Sequence, residues 1–147
     1  MKDDVRLWLE SYRELKFEAD RLWRKHQQLM SQATRVTTQL SPTPGRGGGD
    51  KEQLLAALAD ADDEVIEKSL AATERMREIE KFIDSIPTAV CRVILRLRYI
   101  ELLHWKDLER RLKKSGTYSY EQAQIFRLHG AALREARELW DSRKERE

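Results

Sequence analysis

The chain has 147 residues, enough for one ordinary domain or two small helical units that share a core. With 37% charged and 40% apolar residues, and few glycines or prolines, it is composed for helices. One cysteine, Cys91, excludes an intramolecular disulfide and a cysteine-built zinc site, and no apolar run reaches the roughly 18–20 residues of a membrane span.

The net charge of +2 is unevenly placed. Residues 1–86 hold 14 Lys/Arg against 17 Asp/Glu, a balance of −3; residues 87–147 hold 14 against 9, a balance of +5. The second part therefore carries any attraction to phosphate, although a balance of this size is also that of ordinary surface. The N-terminus, MKDDVRLWLE, has no signal-peptide core, so a cytoplasmic location is expected.

Apolar residues in 4–40 recur in alternating steps of three and four: Val5, Trp8, Tyr12, Leu15, Ala19, Leu22, His26, Leu29, Ala33, Val36, Leu40. This spacing predicts one long helix with a narrow seam, capped at its start by Asp3 or Asp4. His26 falls on the seam as a half-buried polar interruption. The segment SPTPGRGGGD, residues 41–50, has two prolines and four glycines and no phosphate-loop pattern. It is a flexible connector rather than an anion cradle.

A second helix is predicted from about Asp50 to Ser85, with its seam on Leu54, Leu58, Ala61, Val65, Ala72, Met76, Ile79, Ile83 and Ile86. The connector is short enough for the two helices to fold back as an antiparallel hairpin. Trp8, Phe17 and Trp23 supply contact area for whatever packs on it. The acidic run Asp60, Asp62, Asp63, Glu64 and Glu67 lies mostly on the polar face and reads as solvated surface rather than a metal site.

A further helix begins near Pro87, burying Val90, Ile94, Leu97 and Ile100 and exposing Arg92, Arg96 and Glu101. Cys91 among these apolar residues reads as a small buried hydrophobe. A short helix then runs from Trp105 to about Lys114, with Trp105, Leu108 and Leu112 inward and Lys106, Arg110, Lys113 and Lys114 outward. Ser115-Gly116 breaks it. Ser119 is the expected cap of the last helix, with Gln122 as its return partner.

The last helix buries Ile125, Leu128, Ala132, Ala136 and Leu139 and turns Ala123, Arg127, Gly130 and Arg134 outward. Three helices of this kind fit a helix-turn-helix domain, and equally a plain bundle with a solvated basic face. On the first reading, Arg127 pairs with guanine and Gln122 or Gln124 with adenine. Lys106, Arg110, Lys113, Lys114 and Arg134 then hold phosphates. Gly130, which costs about 1 kcal/mol against alanine within a helix, points to a packing or close-approach constraint.

The runs LRLRYIE (95–101), WKDLERRL (105–112) and IFRLHGAALRE (125–135) together resemble region four of sigma-70-type factors, the helix-turn-helix that reads a promoter element. The chain as a whole resembles small phage and prophage proteins with sigma-like C-termini. The ATRVTTQLS run (33–41) before a Pro/Gly-rich loop and the RLHG run (127–130) carry that likeness. Against the sigma pattern, Glu109 replaces the usual alanine, His104 replaces a capping Ser or Thr, and the turn KKSGTYSY is several residues longer.

The expected architecture is all-α, with a coiled-coil-like helical hairpin over 1–86 and a three-helix, helix-turn-helix domain over 87–147. The resemblance implies a DNA-binding transcription regulator of phage or prophage type. Its partners would be double-stranded DNA, RNA polymerase and a second copy of the chain held through the hairpin. Lacking a segment to open promoter DNA, it would be an accessory regulator. Two other readings fit: a helical adaptor that binds polymerase or another regulator without touching DNA, and a ring-forming subunit of a DNA-packaging machine of the small-terminase type. No nucleophile–base pair, cofactor motif or metal cluster stands out, so neither an enzyme nor a cofactor is expected.

Overall fold

A computed structural model describes residues 3–38 and 48–146, with side chains from 3–35 and 51–146. It is all-helical among these residues, with no strand. The order is α1 (Asp4–Thr38), α2 (Gly48–Asp84), α3 (Ala89–Leu95), α4 (Trp105–Ser115) and α5 (Gln122–Arg146). α3 continues into one widened π turn, Arg96–Ile100. Most of the expected connector 41–50 lies outside the described residues. α2 starts two residues earlier than its seam implies, taking in Gly48 and Gly49, which tolerate helical angles without favouring them.

Helix ends follow local chemistry. Asp3 caps α1, its Oδ1 accepting the Arg6 N–H at 3.4 Å. Gly116 closes α4 in the left-handed conformation, φ 73°, and its N–H reaches the Lys113 carbonyl at 3.2 Å. The expected cap of α5 is displaced. Ser119 precedes the helix by three positions, and the return partner is Gln124, whose Oε1 accepts the Glu121 N–H at 3.1 Å. Tyr118 and Tyr120 stack on each other, centroids 6.0 Å apart, and pack against the core. That packing spends residues of the turn and delays the helix.

Packing divides the chain into two compact units that do not follow a boundary at Pro87: Met1–Glu14 with Glu74–Glu147, and Leu15–Thr73. In the first unit the core joins Val5 and Leu9 of α1, Ile79, Phe82 and Ile83 of α2, and the three later helices. Trp8 lies edge-on to Phe82 at 5.3 Å and tilted against Trp140 at 5.1 Å. Within that unit Ile94, Leu97, Leu108, Leu112 and Ile125 form a cluster from α3, the π turn, α4 and α5. Each such side chain fully removed from water contributes about 1.5–3 kcal/mol.

In Leu15–Thr73 the buried apolar residues are small or lie on the expected seam: Ala19 and Leu22 on α1, and Ala61, Val65 and Ala72 on α2. His26 is fully on this seam, more buried than a half-exposed interruption, and pairs with Asp62. Phe17 and Trp23 do not cover the seam: they are 64% and 51% exposed, whereas Trp8 does pack as expected.

Candidate nucleic-acid interface

α4 takes its orientation from Leu108 and Leu112, both buried, so Lys106, Arg110, Lys113 and Lys114 emerge on the opposite face. α5 takes its orientation from Ile125, His129, Ala132, Leu133 and Ala136. This leaves Arg127 and Arg134 exposed on its outer face, about 160–200° around the helix from Ile125 at 100° per residue. Ala123 and Gly130 share that face. The eight candidate residues are thus all at the surface except Gln122, which is half-buried toward the inner side.

They are not equally available. Lys113 is paired with Glu109 at 3.2 Å, one helical turn away, which also accounts for Glu109 lying half-exposed on α4. Arg110 is 3.9 Å from Asp107, a loose surface pair on a side chain 80% exposed, with little energy to hold it. Lys106, Lys114, Arg127 and Arg134 have no carboxylate within ion-pair distance among the described residues. Gln124 is exposed, but its carbonyl is committed to the start of α5, so reading a base with it costs a cap.

The glycine at 130 answers no internal demand. A Cβ built there meets nothing within 4 Å, so the packing constraint expected from the sequence is absent. Gly116 also has open space but needs glycine for its positive φ.

A set of contacts that the sequence patterns did not predict links the π turn, α4 and α5. Arg98 donates to the Leu103 carbonyl at 2.8 Å and places its guanidinium 4.5 Å above the Trp105 ring. Trp105 meets Phe126 edge-on at 4.9 Å and His129 at 4.8 Å. The hydroxyl of Tyr99 lies 2.8 Å from His129 Nε2, both groups buried.

Burial, with help from Arg6 and Arg98, pushes His129 down to about 4, and burial pushes Tyr99 up to about 12. At neutral pH His129 is therefore uncharged, and its Nε2 shares one hydrogen bond with the Tyr99 hydroxyl. The π turn is what carries Tyr99 onto this side, and the loop after it holds Leu102 at φ 58°, unusual for a branched residue. The available clue was period alone: His129 falls four residues after Ile125, on the apolar stripe.

Cys91 is buried, and its thiol is pushed up to about 11 by burial and by Glu135, so it stays protonated at neutral pH. Among the described residues no three His, Cys, Asp or Glu side chains are placed to hold a metal ion, and no helix is long and apolar enough to cross a membrane. The chain matches no known protein family, no curated protein and no solved structure.

Proposed function

We propose that α3, α4 and α5 act as a helix-turn-helix and that the outer face of α5 binds duplex DNA, making the chain an accessory transcription regulator of phage or prophage type. The observation that carries the reading is the outer face of α5 itself. Among the described residues Arg127 and Arg134 stand there without a carboxylate partner, beside Ala123 and a glycine with no packing role of its own. A helix that must bring its backbone close to another molecule has reason to keep such a position bare. Arg127 is the residue suited to guanine, through its two parallel N–H donors. Lys106, Lys114 and Arg134 suit phosphates, with Arg110 and Lys113 joining once their weak surface pairs open. The likeness to sigma region four agrees with this assignment and rests on the motifs alone.

The adaptor reading has one observation in its favour. Phe126, 46% exposed beside Arg127, is an apolar anchor of the kind protein partners use, and Gln124 is tied to the helix start. Both readings meet in one experiment: selection of bound sequences from a random duplex pool, followed by titration of the winner at several salt concentrations. DNA binding predicts affinity that falls steeply with salt. Arg127→Ala should reduce discrimination by roughly tenfold or more at one base position, and Lys114→Ala should weaken all sequences alike and lower the salt slope by about 1. No enrichment, and flat isotherms at low salt, would discard DNA binding; retention of RNA polymerase by the same protein would then select the adaptor.

A further inference from the structure

Leu15–Thr73 leaves large apolar side chains in water: Trp23, Met30, Leu55, Ile66 and Leu70 are 44–58% exposed. Charges sort the two edges of this helix pair. Glu18 and Arg21 of α1 share one edge with Lys68 and Glu64 of α2, whose charges act on them. Trp23 lies on the other edge, stacked on His26 with centroids 5.6 Å apart, and His26 pairs with Asp62. Along α2, Leu55, Asp62, Ile66 and Leu70 fall within about 80° of one another, and Met30 follows Trp23 by seven residues, so each helix brings an apolar row to the same edge. Contiguous apolar surface of this kind is rarely left open to water.

We infer that this stripe is the interface between two copies of the chain, related by a two-fold axis parallel to the helices. α1 of each copy then lies antiparallel to α2 of the other. The charge on the two helices selects this arrangement. Residues 15–35 hold five Lys/Arg against two Asp/Glu, +3, and residues 51–73 hold two against six, −4. Pairing α1 with α2 of the partner brings a net-positive helix beside a net-negative one at both contacts. A two-fold axis across the helices would set +3 on +3 and −4 on −4. A two-fold interface uses the same patch on both copies, so a patch made by one net-basic and one net-acidic helix is self-complementary. Two helices of this length present a face about 30 Å by 20 Å, close to the area each partner gives to a standard interface.

The inference stands apart from the DNA reading, since residues 15–73 contain none of the DNA candidates. Sedimentation of the full chain tests it, with circular dichroism to verify helix content. The wild type should be a dimer whose dissociation constant rises with salt. Ile66→Glu should give monomer at the same helix content. Trp23→Ser, at a position already half-exposed, should weaken the dimer by about tenfold or more, as truncating an aromatic anchor does. Leu7→Glu, at an exposed site outside the segment, should leave it intact. A monomeric wild type, a larger ring, a dimer that survives both stripe substitutions, or association that tightens with salt would each overturn it.

Discussion

The eleven largest side chains that are almost wholly withdrawn from water, Val5 and Leu9 through Ile125, all lie in Met1–Glu14 and Glu74–Glu147. Among the described residues Leu15–Thr73 has none of them, yet it holds six of the eight large apolar residues that are exposed, the other two being Leu7 and Phe126. Both units are made of amphipathic helices. What differs is how many helices meet. Two helices side by side bury a single seam, here built largely from Ala19, Ala61, Val65 and Ala72, whose small size lets the backbones approach. A third, fourth and fifth helix cover the flanks of the seam, and only then can Phe82, Leu108 or Ile125 be enclosed. Burial, and the stability that follows it, is thus a property of the neighbourhood more than of the helix.

The largest test of this contrast is truncation of matched core residues. Ile125→Ala should cost about 4 kcal/mol, because its site is closed on all sides and relaxes poorly. Leu22→Ala, in a seam open at its edges, should cost about 2 kcal/mol, since neighbours and water can fill the gap. Urea melts with unchanged slopes measure both. Equal costs would mean that Leu15–Thr73 is as closely packed as the other unit, and the contrast would fail.

The two buried histidines sharpen it. His129 shares a hydrogen bond with the Tyr99 hydroxyl inside an aromatic surround, and its ring is uncharged at neutral pH. His26 reaches a carboxylate that is itself 53% exposed, and its Nδ1 has no partner. Because the folded protein holds His129 at about 4, below the 6.5 of an unfolded histidine, the unfolded chain binds the extra proton first as pH falls. The stability this group supplies is therefore complete above pH 6.5 and drains away between about 6.5 and 4, by roughly 3 kcal/mol at the lower end. His129→Gln, which still offers Tyr99 an acceptor, should flatten that part of the stability profile relative to wild type. An unchanged profile would mean that His129 takes up its proton without opening the fold.

The helices were legible because they rest on local rules. Periods of three and four placed the seams of α1 and α2, and Asp3 marked the start of α1 and Gly116 the end of α4 as capping chemistry requires. The missed features depend on distant partners. Leu9 and Phe82, each one position from an expected seam residue, are wholly buried because α1 and α2 meet more than one neighbour in their unit. The start of α5 at Gln122 instead of Ser119 follows from Tyr118 and Tyr120 finding the core. The π turn, and with it the Tyr99–His129 bond, has no sequence signal, because it is set by how α3 meets α5. At the candidate interface, sequence identified which cations could face outward; the Glu109–Lys113 pair, four residues apart on one helix face, follows from the same local period.

The smallest effect is the most pointed about function. Gly130 lies within α5, where alanine is favoured over glycine by about 1 kcal/mol, and a methyl group there meets nothing within 4 Å. Gly130→Ala should therefore stabilise the chain by about 1 kcal/mol, read as a shift of the urea midpoint at constant slope. If the outer face of α5 approaches DNA closely, the same methyl group sits between backbone and duplex, and affinity should fall while stability rises. Opposed changes of this kind cannot come from damage to the fold, which would lower both. A stabilised variant that binds DNA as well as wild type would take Gly130 out of the interface and leave the basic side chains alone to carry the contact.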